Sequence, residues 1–123
     1  MKRQKIKIAM IDMDVLYTIY KDNMFAIHEY IQKFINISFS ILKNAKDAID
    51  KNDATLALDC FHQLKGSVGS IGFKKMYELC EAIEEKIAYS DWNAANELFA
   101  KLEKLLKNFQ SKYEKESNSF MRK

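Results

Sequence analysis

Glycine occurs only three times in these 123 residues and proline not at all. All three glycines fall in one run, His62-Gln63-Leu64-Lys65-Gly66-Ser67-Val68-Gly69-Ser70-Ile71-Gly72. Proline and glycine are the residues that interrupt helices, so a chain with so few of them is free to form long ones. An interior glycine costs a helix about 1 kcal/mol relative to alanine. Two of them beside a histidine imply that the space they leave is used.

The apolar pattern supports helices throughout. A short one is expected from about Asp12 to Lys21, with Asp12 or Asp14 as its start signal and Val15, Leu16, Ile19 and Tyr20 on its apolar side. Its length suggests a cap on a larger assembly. From about Asn23 to Lys51, the residues Ile27, Ile31, Phe34, Ser38, Ile41, Ala45 and Ala48 alternate at spacings of four and three, one long core-facing stripe. Asn52 and Asp53 can cap a third helix running to about Ser70, and Gly72 closes the turn before a fourth from about Phe73 to Tyr89. Ser90-Asp91 opens a fifth, with Ala95, Leu98, Leu102, Leu105 and Phe109 as its stripe. Asn52-Asp53-Ala54 and Ser90-Asp91-Trp92 look alike through shared capping chemistry, not through an internal repeat. The expected fold is all-α: four principal helices joined by short turns into an antiparallel up-down bundle, with a short accessory N-terminal helix.

Length allows one sizeable core, hence one domain, read as a basic extension over 1–11, the bundle over 12–115 and a polar tail over 116–123. Two cysteines, Cys60 and Cys80, and no hydrophobic segment after the basic start argue against secretion and a disulfide scaffold; a reduced, cytoplasmic setting fits. No apolar stretch reaches the roughly 20 residues that span a bilayer. The net charge of +3 comes from basic and acidic residues interleaved, so nucleic acid is not expected as a partner.

On the third helix, steps of about 100° place Leu64, Ile71, Cys60 and Ala57 within about 40° of the direction opposite His62. The core face therefore excludes His62. Positions three, four and seven further on share its face, and they are Lys65, Gly66 and Gly69. Gly66 removes a side chain that would crowd the ring, Gly69 opens the next turn, and Lys65 reaches a group carried on the imidazole. This face suits a bulky anion such as phosphate. On the fourth helix, Phe73, Met76, Tyr77, Cys80, Ile83 and Ile87 form the stripe, and Glu84 lies on it and needs a partner. Returning beside the third helix, Glu84 can accept a hydrogen bond from His62 Nδ1-H and leave Nε2 outward. The alternatives are a boundary carboxylate that reaches water, or Glu81 one turn earlier in that place.

The run from His62 to Gly72 resembles the signature of histidine-containing phosphotransfer (HPt) domains of bacterial and fungal phosphorelays, H-x-L-K-G-S followed by small residues and an aliphatic-Gly pair. The similarity extends from about Asp12 to Tyr113 and includes the Asp-Trp start of the last helix. Val68 and Gly69 depart from it, standing where Ser and Ala are frequent. The resemblance implies a four-helix bundle with a phosphorylatable histidine exposed in mid-helix, which His62 matches. It also implies that Lys65 helps hold the phosphoryl group, that Gly66 gives access, and that a polar residue of the next helix, here Glu84, orients the histidine. By the same resemblance, phosphate moves reversibly between His62 and a receiver-domain aspartate. The partners are then response-regulator receiver domains and a hybrid sensor histidine kinase. This chain would bind no cofactor, with Mg²⁺ held in the partner receiver. Docking would use the face around His62, with Gln63, Lys65, Gly66, Gly69 and Ser70 at the rim and Met13, Leu16 and Tyr17 offering apolar area.

Neutral imidazole is a capable nucleophile near pH 7, because a histidine side chain ordinarily titrates near about 6.5. There is no P-loop glycine pattern and no kinase signature, so the chain is expected to carry phosphate without using ATP. His28, among Phe25, Ile27 and Ile31 without a glycine or lysine pattern, reads as structural. Cys60-Phe61-His62 is not a metal pair, since positions two apart on a helix diverge. A monomer is the simplest expectation, and the initiating methionine favours a free-standing protein over a module of a hybrid kinase. The competing readings are an HPt-like adaptor that binds a receiver or kinase without being phosphorylated, and a plain helical adaptor.

Overall fold

The computed structural model describes residues 8–121, with side chains through 118. The basic segment 1–7 and residues 122–123, parts of the expected extension and tail, lie outside the described residues. Five helices follow one another: α1 (Met13–Tyr20), α2 (Met24–Asp50), α3 (Ala54–Ser70), α4 (Lys74–Ala88) and α5 (Trp92–Met121). No strand occurs among the described residues.

Side chains next to the helix starts satisfy the first free backbone N–H groups. Asp12 accepts from Asp14 N at 2.9 Å, Asn23 from Ala26 N at 3.0 Å, Asp53 from Leu56 N at 3.1 Å and Asp91 from Ala94 N at 3.1 Å. The start of α4 differs: its N-cap is Phe73, fully buried and without a side-chain capping bond.

The three turns that follow α2, α3 and α4 share one backbone pattern. Asn52, Gly72 and Ser90 have positive φ values of 53°, 69° and 58°. In each, that residue's N–H donates three residues back, to Ile49 O, Gly69 O and Ile87 O. The next N–H donates five back, from Asp53 to Ala48 O at 2.9 Å, Phe73 to Val68 O at 3.0 Å and Asp91 to Lys86 O at 2.8 Å. These are Schellman turns, which satisfy the last free carbonyls of a helix. Asparagine and serine suffice at two of them. At the third, a Cβ on residue 72 would lie 2.5 Å from Asp12 Cβ and 3.1 Å from Asp12 N, so glycine is required by space as well as by φ. The start of α1 is docked there, Asp12 N donating to Ile71 O at 3.2 Å.

In the bundle α2 packs on α3, α3 on α4, α4 on α5 and α5 back on α2, while α1 packs on α2. In α2 and α5 the core takes the expected stripes with small shifts: Leu42 is buried where Ile41 is only half-buried, and Phe99 and Leu106 are buried where Leu98 and Leu105 are half-buried; in α1 Met13 and Leu16 are buried, whereas Ile19, expected on the apolar side, is exposed. Helix α5 touches both α4 and α2, so it buries a wider arc than a single stripe. Phe34, Phe73 and Phe109 pack together with ring centroids 5.1 to 6.4 Å apart, and Tyr113 stacks on Phe109 at 6.1 Å. His28 joins this end: its Nδ1 is 2.6 Å from Tyr113 Oη, tying α2 to α5.

The chain boundaries read from the sequence do not coincide with structural ones. Ile8 is buried in the core, ahead of the boundary at 12, and α5 continues past 115 to Met121 with Ser117 buried. Ile8 is apolar enough to be drawn onto the bundle, and 116–121 contains no glycine or proline to end the helix.

Candidate functional site

The middle of α3 presents the two sides that its sequence prescribes. Ala57, Cys60, Phe61, Leu64 and Val68 are buried, while His62, Gln63, Gly66 and Gly69 are exposed. The His62 imidazole makes no hydrogen bond among the described residues. An ideal Cβ on Gly66 would have nothing within 4 Å, and one on Gly69 would make only ordinary contact with the Tyr77 ring at 3.8 Å. The chain itself therefore does not require glycine at 66. A Cβ there would not even reach the imidazole, so the expected relief of crowding at the ring is not what glycine provides.

Lys65 and Glu84 pair with each other. Lys65 Nζ lies 2.8 Å from Glu84 Oε1, joining α3 to α4, with the two side chains 21% and 20% exposed. The ammonium also sits 5.6 Å from the centroid of Tyr77. The hydrogen bond to Glu84 raises the Lys65 pKa above its ordinary range, against the desolvation that lowers it. Beneath the pair, burial pushes the Cys80 thiol up to about 12, with the Glu84 carboxylate adding to the rise and Lys65 opposing it. Cys60 is likewise buried and its thiol raised, first by desolvation and then by Asp59. Neither thiol is placed to act as a nucleophile at neutral pH.

Glu84 and His62 line one open groove, together with Asp53, Thr55, Leu56, Leu58 and Asp59. Glu84 thus shares this groove with the histidine, and its ion-pair partner is Lys65. Three of the remaining lining residues were missed from the sequence although the signal was present. Asp59, Leu58 and Thr55 lie three, four and seven positions before His62, on the same helix face as the residues picked out after it. Leu56, 43% exposed, gives the groove its apolar floor.

Of the residues expected at a docking rim, Gln63, Gly66, Gly69 and Ser70 are exposed. Ser70 Oγ donates to Ser67 O at 2.7 Å and lies 2.8 Å from Tyr30 Oη, so the rim is tied to α2 there. Met13 and Leu16 are corrected: they are 6% and 0% exposed and belong to the core. An eight-residue helix has room for one apolar face, and α1 spends it on the bundle. Tyr17 is half-buried, its hydroxyl 3.8 Å from Met24 Sδ.

Among the described residues, no group of three or more His, Cys, Asp or Glu side chains is placed to hold a metal ion, and no helix is long and apolar enough to cross a membrane. Comparison with curated proteins and with solved structures returned no match. A family profile does match: the Hpt domain, over residues 29–112, a span that holds α3, α4 and their connecting turn and most of α2 and α5. With that match over most of its length, the chain belongs to the Hpt domain family.

Proposed function

We propose that the protein is a phosphorelay carrier of two-component signalling, accepting a phosphoryl group on His62 from a receiver-domain aspartate and passing it to another. The observation that carries this reading is the face of α3. An exposed imidazole without a hydrogen bond among the described residues stands one turn before a glycine whose side-chain space is open, and a lysine shares that face. The packing of the bundle accounts for Lys65 through its pairing with Glu84, but calls for neither the exposed His62 nor a glycine at 66.

In the transfer, the lone pair of Nε2 attacks phosphorus in line as the acyl-phosphate P–O bond breaks. The electron pair leaves with the receiver's carboxylate, and the ring proton stays on Nδ1. Such transfers depend chiefly on positioning and on offsetting charge. Lys65 supplies a positive charge on the His62 side. The receiver would supply Mg²⁺ beside its aspartate, and this chain would bind no cofactor. Docking would use Gln63, Gly66, Gly69 and Ser70 with the groove at Leu56. We further read the helix order and three-residue connections as an antiparallel up-down arrangement of α2 to α5, and place the protein in the cytoplasm as a monomer.

The test mixes the protein with a phosphorylated receiver domain and follows the label. Wild type should acquire acid-labile, alkali-stable phosphate, and His62→Gln should acquire none. Equal labelling of the two removes the assignment. Receiver binding with no label on wild type would instead establish the phosphate-free adaptor.

A further inference from the structure

If Lys65 is to steady a phosphoryl group on His62, it does not start from a free position. Its ammonium is 2.8 Å from Glu84 Oε1, and the ion pair is four-fifths shielded from water, where charges act more strongly than at an open surface. The Tyr77 ring centroid lies 5.6 Å from the same ammonium. Glu84 in turn lines the groove that His62 faces. A phosphoryl group on His62 would bring a second anion to a cation that already has one. An ammonium has three N–H donors, so it can turn toward the phosphoryl oxygens, at the expense of its bond to the carboxylate.

We propose that Glu84 is a positioning residue that acts through Lys65. Its carboxylate holds the ammonium against α4 while His62 is free, and competes with the phosphoryl oxygens for that ammonium once His62 is modified. Glu84 thereby sets how readily His62 gives the group up. A carrier needs this property, because a phosphoryl group held too tightly is not passed on. The inference rests on the carrier reading, and it differs from a direct role of Glu84 in orienting the imidazole.

Phosphoramidate serves as the donor, so the test needs no partner protein. Nε2 attacks phosphorus, the donor's P–N bond breaks and ammonia leaves with the electron pair. The full chain is incubated at fixed phosphoramidate and ammonium concentrations; phosphohistidine is quantified by phosphorus NMR, and its difference from the total protein concentration gives the equilibrium ratio of phosphorylated to free His62. Helix content and melting are recorded for each variant. Glu84→Gln should raise the ratio about 5- to 10-fold, and Glu84→Asp, which keeps the charge, should stay closer to wild type. In a Lys65→Gln background the gain from Glu84→Gln should fall below about 2-fold, because the competition has been removed. The proposal is overturned if Glu84→Gln leaves the ratio within 2-fold of wild type, or if its gain is undiminished without Lys65, the mark of a carboxylate acting directly on ring or phosphate. If wild type gives no signal beyond that of His62→Gln, the carrier reading itself falls and this inference with it.

Discussion

A Cβ placed on Gly66 would meet nothing within 4 Å, whereas one placed on Gly72 would lie 2.5 Å from Asp12 Cβ. The two positions are six residues apart, in one sequence run and within the span that the family profile matches. Gly72 answers to the fold: its φ of +69° turns the chain between α3 and α4, and its bare backbone lets the start of α1 close against it. Gly66 does not answer to the fold, since within the chain the residue costs helix stability and relieves no contact. The contrast separates the closed end of the bundle from the open face of α3. It teaches that a glycine's worth to folding and its worth to function can be read independently, by asking what its missing side chain would touch.

The largest effect expected from this contrast is at the turn. Gly72→Ala should cost about 3 kcal/mol, combining left-handed backbone strain with the displacement of Asp12. Urea unfolding at neutral pH measures it. Gly72→Asn tolerates the φ value but not the lack of space, and should still cost about 2 kcal/mol. Asparagine already serves at the equivalent turn, residue 52, where α1 does not intrude. If Gly72→Asn were as stable as wild type, the approach of Asp12 would not be what demands glycine.

The sequence made this division only partly legible, for reasons that differ from residue to residue. Helix ends were readable because Asp12, Asn23, Asp53 and Asp91 are local signals whose partners lie two or three residues away. The exposed face of α3 was readable because helical angles fix which side chains share a direction. The role of Gly72 was readable only as a turn. That α1 presses on it depends on a contact between residues 12 and 72, which no local pattern reports. Glu84 was seen to need a partner, but choosing between His62 and Lys65 depends on reach. A lysine stem spans from α3 to α4, whereas an imidazole hangs on a single methylene. Met13 and Leu16 show the same limit, because an apolar face on a short helix looks alike whether it meets the bundle or a partner.

A smaller effect is expected where the open face is tied to the bundle. Lys65→Gln should lower stability by about 1 kcal/mol at pH 7, the scale of a partly shielded ion pair. Because Glu84 raises the Lys65 pKa in the folded protein, the folded state holds that proton more firmly than the unfolded chain. The contribution is therefore complete below the ordinary lysine value of about 10.4 and is lost as pH rises through the higher folded value. Denaturation curves should show wild type and Lys65→Gln apart at pH 7 and converging in that alkaline range. A gap that stayed constant would mean that Lys65 contributes by packing its stem on Tyr77 instead of by charge.

The smallest and most discriminating change is at Gly66, where the two demands on a glycine oppose each other. Gly66→Ala should stabilise the free protein by about 0.5–1 kcal/mol, because the residue is helical, its Cβ is unobstructed, and alanine has less freedom to lose on folding. Gly69→Ala should gain a similar amount, since its Cβ would rest on the Tyr77 ring at 3.8 Å without strain. Thermal melts measure both. If the open face exists for an incoming receiver, Gly66→Ala should at the same time slow phosphoryl transfer to His62 from a phosphorylated receiver by about 10-fold or more, a methyl group in the approach path displacing reacting atoms that must come within about 3–3.5 Å. Phosphorylation by the much smaller phosphoramidate should change less. A variant that is more stable and transfers as fast as wild type would leave the glycine without a purpose on this face. One that is more stable and slower only with the protein donor would locate the cost of Gly66 in docking, where the open space places it.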